Sequence, residues 1–299
     1  MTVEMVAQVR RFNRTVTQRI GVLNDDFLAS DRPLGQNRLL WEIGADGCDV
    51  RSLRARLDLD SGYLSRLLRT LEDRGLVVVE QSASDGRVRT VRLTEHGRRE
   101  VEMLDRRSDE AAAAILQPLN ERQRDRLVAA MAEVDRLLIA STVEVSECDP
   151  NDPDARFCLD TYFAELAERF AGGFDPSRKP FSDHEMTPPS GLLLVARLHG
   201  DPVGCGAVTF LPGGVAYFKR MWVAGTVRGI GLGRRLLTEL EARAHANAAH
   251  RLQLETRNEL REAIGLYLSS RYREVPPFND EPYADHWFEK TICFVGASN

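Results

Sequence analysis

Lysine is almost missing from this sequence: three of its 40 basic residues are Lys and the rest are Arg. Long apolar runs are missing as well. No stretch reaches the roughly 18–20 residues that a membrane span needs, so no membrane partner is expected. The five cysteines are Cys48, Cys148, Cys158, Cys205 and Cys293, and no two show the spacing of a zinc knuckle or a redox CxxC. No metal site is expected, and a reduced, cytoplasmic setting is. The chain does not open on a basic segment followed by an apolar one, so no signal peptide is expected. Repeats at solenoid periods and low-complexity tails are also lacking.

What is present suits a folded protein of two parts. With 299 residues, 43% hydrophobic and 28% charged, the chain can bury two separate cores. Its net charge of −5 excludes a bulk polycation. The charge is nevertheless uneven, because residues 51–99 hold 11 Arg against 7 acidic residues. Residues 141–299 hold 17 basic and 22 acidic residues. A basic island in an acidic chain implies one local surface for an anionic partner.

The best boundary lies near Glu147–Asp154, where Pro150 and Pro153 break an incoming helix. The expected domains are 1–145 and 146–299. Upstream, Val6, Val9, Phe12, Val16 and Ile20 share one face of a helix expected over 2–28. Two further helices are expected from Thr94 and from Asn120. Downstream, short apolar strands are expected at 192–198, 203–210, 217–223 and 252–255. Helices at 154–170, 231–247 and 260–270 accompany them, as in an α/β sheet domain.

Residues 50–93 carry the first strong signal. A short helix (50–57) and a turn precede a second helix over about 62–74. There Leu64, Leu67, Leu68 and Leu71 form one buried stripe, and Ser61 or Asp60 can cap the first turn. Asp85-Gly86 between two β-rich runs marks a hairpin, with Arg87 and Arg89 just past its tip. Helix, turn, helix and basic hairpin form a winged helix-turn-helix. Its second helix would enter the major groove, and its hairpin arginines would meet phosphates or the minor groove.

The run Leu57-Asp58-Leu59-Asp60-Ser61-Gly62-Tyr63-Leu64-Ser65-Arg66, then Ser84-Asp85-Gly86-Arg87 and Leu93-Thr94-Glu95-His96-Gly97, resembles the MarR family. The resemblance covers about residues 3–142. It implies a homodimer interlocked by the terminal helices, reading a palindromic operator in double-stranded DNA. It also implies that Asp85 holds Arg87, that Tyr63, Ser65 and Arg66 face base edges, and that Arg69 meets a phosphate. Ser61 and Arg89 complete the expected DNA contacts. Glu80 departs from the family, which usually has a basic residue on the first wing strand.

The second strong signal is Tyr217-Phe218-Lys219-Arg220-Met221-Trp222-Val223, followed by Arg228-Gly229-Ile230-Gly231-Leu232-Gly233-Arg234. A strand runs into a glycine loop, and a helix leaves it. Amides without Cβ neighbours at a helix N-terminus can cradle phosphate. A lone G-x-G-x-G also fits a tight turn or a dinucleotide site. No acidic residue ends a strand at the dinucleotide distance, and no Walker lysine is present. With its flanks, the segment resembles the pyrophosphate loop of the GNAT family of acetyltransferases. That resemblance covers about residues 145–293 and implies a mixed, mainly antiparallel sheet and acetyl-CoA as cosubstrate. The amides of residues 228–233 would hold the pyrophosphate, assisted by Arg228 and Arg234. The main chain of Met221, Trp222 and Val223 would pair with the pantetheine arm.

The same resemblance makes Tyr267 the acid that protonates the leaving thiolate. The base is less defined by the family. Glu255, at a strand end, is the leading candidate, with His286 and Glu281 behind it. Leu260 stands where many members have Asn, and Asn258 is the nearest substitute. Arg271 stands where the family usually has Gly. The Gly/Pro-rich loop 171–190 falls where acceptors bind. The expected whole is a bifunctional regulator and N-acetyltransferase acting on a small-molecule amine. Two alternatives remain open at this point: an enzyme whose first half only dimerises, and a regulator whose second half only senses a ligand.

Overall fold

The computed structural model describes residues 2–21, 28, 30–81, 89–175 and 182–292. These form two compact units, Met1–Ala132 and Glu133–Asn299.

The first unit is built from α1 (Val3–Arg19), α2 (Leu34–Ile43), β1 (Cys48–Asp49), α3 (Val50–Leu57), α4 (Ser61–Asp73), β2 (Val77–Gln81), β3 (Arg89–Leu93) and α5 (Glu95–Leu116), and α6 (Glu121–Thr142) begins in it and ends in the second. The three strands pair in the order β1-β3-β2. The leucine stripe of α4 does what its spacing implies: Leu64, Leu67, Leu68 and Leu71 are buried with Leu39, Leu53 and Val91 in one core. Asp60 caps α4, its Oδ1 accepting from the Tyr63 amide at 2.8 Å. Gly97 lets α5 pass close to the chain leaving α4, since a Cβ there would lie 2.0 Å from the Leu76 carbonyl oxygen. The first helix is shorter than expected. It ends at Arg19, and Gly21 follows in the left-handed region at φ 73°. No residue of α1 is buried, and Val6, Val9, Phe12 and Ile20 are exposed.

The second unit adds β4 (Glu144–Cys148), α7 (Pro153–Arg169), β5 (Gly191–Leu198), β6 (Asp201–Leu211), β7 (Val215–Val223), α8 (Leu232–Ala246), β8 (Arg251–Thr256), α9 (Arg261–Ser269), β9 (Arg273–Val275) and β10 (His286–Thr291). Its seven strands run in the order β4-β5-β6-β7-β8-β10-β9. Every pairing is antiparallel except β7 with β8. Alternation along β5 serves two cores. Leu192, Leu194 and Ala196 pack with the α8 leucines, and Leu193 and Val195 pack under α7. Gly204 and Gly206 on β6 leave room for α8, since a Cβ at Gly206 would sit 3.0 Å from Leu240. Residues 144–148, to which no element was assigned from the sequence, pair with Leu193–Arg197 as an edge strand. The expected 145/146 boundary therefore falls inside β4.

Two details of the sheet prepare the site. First, β7 and β8 are bonded only at Val215–Tyr217 against Arg251–Gln253. Beyond that the strands part, and the β8-facing edge of β7 from Phe218 to Val223 has no strand partner among the described residues. Second, the register of β6 on β7 shifts between Cys205 and Ala207, opposite Arg220 and Met221. Arg220 takes a left-handed backbone there, at φ 56°. For an arginine that conformation costs about 1–2 kcal/mol.

Candidate functional site

The glycine loop opens onto a cleft of about 470 Å³ in the second unit. Gly229 and Gly231 lie at φ 83° and 85°, where a side chain is strained. A Cβ built on either meets nothing within 4 Å, so both project into open space. Gly231 is also the N-cap of α8, whose first amides have no partner within the helix. Left-handed glycines, a helix start and open space make a cradle suited to a diphosphate. Met221, Trp222, Val223, Arg228, Gly231, Gly233 and Arg234 line the same cleft, which therefore runs from the cradle along the unpaired edge of β7.

Other expected cofactor contacts sit differently. The Arg228 guanidinium is turned onto Glu165, with both carboxylate oxygens at 2.6 Å, and its Nε donates to the Val223 carbonyl at 3.0 Å. It braces the loop against α7. Arg234 donates to the Ser269 hydroxyl at 2.8 Å and the Ser270 hydroxyl at 3.2 Å. Ile230 packs against the core. Asn258 accepts from His286 at 2.8 Å and does not line the cleft, whereas Leu260 does. Arg271 holds the left-handed position after α9, at φ 69°, where glycine is the easier residue.

Glu165 was not singled out in the sequence. It accepts from Arg228, Arg169 and the Trp222 indole, whose Nε1 lies 2.9 Å away. Burial alone would raise its pKa, but these donors outweigh it and hold the carboxyl below its ordinary value. The only advance signal was an acid on the α7 helix; its partner Arg228 is 63 residues away.

At the inner end the cleft meets a smaller one of about 100 Å³, and Tyr162, Met221 and Tyr267 line both. Tyr267 is 4% exposed. Burial, with Tyr162 and Glu255 nearby, pushes its phenol well above the ordinary value. It stays protonated at neutral pH and can serve as a proton donor. Tyr162, also missed in the sequence, has a phenol pushed up to about 12 by burial, with Arg220 opposing.

Glu255 lines the smaller cleft. Burial raises its pKa, while the hydrogen bond from the Tyr217 hydroxyl and the charge of Lys219 lower it. Tyr217 is held in turn by Asn279, whose Nδ2 donates at 2.8 Å, and Asn279 accepts from the Trp287 indole at 2.8 Å. Glu281 faces the cleft and pairs with Lys219 at 3.7 Å. His286 is tied to Glu274 and Asn258 instead. Among the expected acceptor-loop residues, Phe174 and Asp175 line the smaller cleft, while residues 176–181 lie outside the described ones.

On the first unit, α4 exposes Tyr63, Ser65, Arg66 and Arg69 on the side opposite its leucines, with the Arg66 guanidinium 5.8 Å from the centre of the Tyr63 ring. Ser61 begins the helix and Arg89 is exposed at the start of β3. Asp85 and Arg87 lie outside the described residues. Among the described residues no cluster of potential metal ligands is present, and no helix is long and apolar enough to cross a membrane.

Comparison with known proteins bears on both units. The acetyltransferase (GNAT) family model matches residues 159–270, and the MarR family model matches residues 30–88. An IAA acetyltransferase of Azospirillum brasilense is 36% identical over 125 residues, 40% of this chain and 78% of that protein. An uncharacterised N-acetyltransferase of Schizosaccharomyces pombe is 31% identical over 128 residues, 42% of this chain and 73% of that protein. A GNAT-family acetyltransferase structure from Staphylococcus aureus aligns at 16% identity with a TM-score of 0.44, covering 50% of this chain and 98% of that one. The chain belongs to the GNAT family of N-acetyltransferases and carries a MarR-family segment ahead of that domain.

Proposed function

We propose that the second unit transfers the acetyl group of acetyl-CoA to a small primary amine, and that the first unit binds operator DNA as a dimer. The observation that carries the enzymatic half is one continuous cleft. It starts at the Gly229–Gly233 cradle, follows the open edge of β7 and ends at Tyr267. A diphosphate fits the cradle because glycine leaves both the amides and the space free. The exposed edge can pair with the amides of an extended arm as an added strand would.

Each chain residue then has one task. Glu255 takes a proton from the acceptor ammonium, directly or through water. The freed nitrogen forms a C–N bond to the acetyl carbon as the C–S bond breaks, and the Tyr267 phenol protonates the departing sulfur. A main-chain amide of β7 near Val223 stabilises the developing oxygen charge. Glu165 acts as a positioning residue by pinning Arg228 and hence the loop. Uptake of acetyl-CoA measured by calorimetry, together with thiol release on adding amines, tests this reading. No saturable heat would remove it.

The pH profile offers a second check. Glu255 must be ionised to accept a proton, and burial raises its pKa. Activity is therefore lost, as pH falls, at a pH above the ordinary carboxylate value of about 4.3. Tyr217→Phe removes a donor that holds the pKa down, so the acid limb of kcat/KM moves to higher pH. Glu255→Gln abolishes the limb. A limb unmoved in both variants would take Glu255 out of the proton transfer.

The DNA-binding half is supported by the exposed Tyr63–Arg66 face of α4 and by the basic island around it. Each good base contact from an arginine is worth about 1–3 kcal/mol. Arg66→Ala combined with Arg87→Ala should weaken operator binding by about 100-fold or more, read by mobility shift on the chain's own upstream DNA. Arg69→Ala should instead lower the salt dependence by about one counterion. Retained affinity in the double variant would overturn this docking.

A further inference from the structure

The neck between the two clefts holds little polar chemistry. Of the described residues, Tyr162, Leu166, Met221, Leu260, Ala263 and Tyr267 line both clefts. Only the two phenols among these side chains can donate a hydrogen bond. In the acetyl-transfer reading the acetyl group lies at this neck, where the edge of β7 meets Tyr267. Tyr267 serves the sulfur, and the other phenol has no task yet. The cations of the smaller cleft are engaged elsewhere. Lys219 pairs with Glu281 at 3.7 Å, and Arg257 pairs with Glu259 at 3.3 Å and with Asp285 at 3.9 Å. Arg220 bonds the Tyr162 hydroxyl, and its guanidinium lies 4.6 Å over the Phe163 ring.

The contact between Arg220 and Tyr162 is built at a cost. Arg220 sits in the bulge of β7 with a left-handed backbone that glycine or asparagine would adopt with less strain. The Cys205 thiol holds that bulge by donating to the Arg220 carbonyl at 3.3 Å. Local strain of this kind persists where the surrounding structure fixes it, and it gathers at working sites. A guanidinium can only donate, so the Tyr162 oxygen accepts from it and keeps its proton for an acceptor in the neck. A cationic donor on the oxygen also polarises the O–H and makes it a stronger donor. Helix α7 supplies the rest of the placement. Tyr162, Glu165 and Leu166 fall on one face of it, at i, i+3 and i+4.

We propose that Tyr162 is a second catalytic phenol, whose O–H donates a hydrogen bond to the acetyl carbonyl oxygen, and that Arg220 is the positioning residue that aims it. This rests on the acetyl-transfer reading above and adds a side-chain donor to the β7 amide. As the C–N bond forms, the carbonyl π pair moves onto the oxygen, and the Tyr162 hydrogen bond meets the growing charge. The pair returns to the C=O bond as the C–S bond breaks, and the sulfur leaves with the Tyr267 proton. Tyr162 ends the cycle with its own proton, so it adds nothing to the proton balance. The apolar walls of the neck exclude water that would otherwise compete for the oxygen and weaken the contact.

The test uses the full chain and acetyl-CoA isotopically labelled at the acetyl carbonyl carbon. Difference infrared spectroscopy reads the C=O stretch of the bound cosubstrate. Tyr162→Phe keeps the ring and removes the donor, so the band should move to higher frequency than in the parent protein. Arg220→Asn tolerates the left-handed backbone and should move the band the same way by less. With ethylamine as acceptor, thiol release should show kcat lowered by about 10- to 100-fold in Tyr162→Phe, the worth of one hydrogen bond to a charged oxygen. Acetyl-CoA affinity by calorimetry should change little. Adding Arg220→Asn to Tyr162→Phe should cost nothing further, because Arg220 acts through the hydroxyl. A ring that merely packs would leave the band and kcat unmoved, which would overturn the assignment and leave acetyl transfer standing. Should Tyr162→Phe take up no acetyl-CoA, Arg220→Asn carries the test, and an unmoved band in it overturns the assignment equally. Equal losses from Arg220→Asn with and without the Tyr162 hydroxyl would take Arg220 out of the positioning role. Absence of acetyl-CoA uptake by the unaltered chain would instead remove the acetyl-transfer reading itself.

Discussion

Replacing Tyr267 with Phe is expected to slow acetyl transfer by about 10²- to 10³-fold, the range for loss of a positioned proton donor, with acetyl-CoA affinity unchanged. The substitution removes one oxygen and leaves the ring, which packs 5.8 Å from Phe288 and 6.0 Å from Tyr272. Stability should therefore change little. The loss should fall on kcat, because the phenol matters when sulfur departs and not when the arm docks. Burial holds the phenol protonated across the working pH range, so the proton is present when the thiolate leaves. Single-turnover thiol release separates this step from binding. Turnover at the wild-type rate would remove Tyr267 from the chemistry, and the same measurement on Tyr162→Phe would then decide whether the neighbouring phenol serves.

Gly231→Val should weaken acetyl-CoA binding by about 100-fold, roughly 2.7 kcal/mol. Two effects add here. A β-branched residue is strained at φ 85°, and its methyl groups would project into the open space where the phosphates are proposed to sit. Gly231→Asn separates the two, because asparagine accepts the left-handed backbone more readily. It should fold like the parent protein and still bind acetyl-CoA more weakly, by calorimetry. If both variants bind normally, the cradle is not where the diphosphate lies.

Most helices of both units were legible because their periods are strong, although α2 was not anticipated and α1 ends earlier than expected. The α4 leucines and the α8 run Leu236, Leu237 and Leu240 declare their buried faces directly. The wing strands and the four central strands of the larger sheet were equally readable from β-rich runs between turns. The edge strands were not. In β4, Glu144-Val145-Ser146-Glu147-Cys148, only Val145 and Cys148 are half-buried, on opposite faces, and no residue is fully buried, so no alternation marks it as a strand. Short β9 and polar β10 owe their strand state to pairing with β8 and with each other. Of the site, the glycine loop stood out because its spacing lies within one stretch of chain, and Tyr267 only through the family resemblance. Glu165, Tyr162 and Arg220 did not, because their meaning comes from partners brought near by folding. The Arg228 side chain shows the limit of motif reading. Its position in the loop was legible, but its engagement with Glu165 depended on where α7 would pass.

The parting of β7 from β8 has a further consequence. A bare strand edge usually invites another polypeptide and ends in unwanted association. Here the bare stretch lies in the interior of a sheet, behind a hinge of bonded residues at Tyr217 and Gln253. A foreign β-strand would have to wedge itself between two members of one sheet, whereas a slender, flexible chain can thread in from the mouth. The molecule thus keeps hydrogen-bonding capacity in reserve for a guest without advertising it to its neighbours.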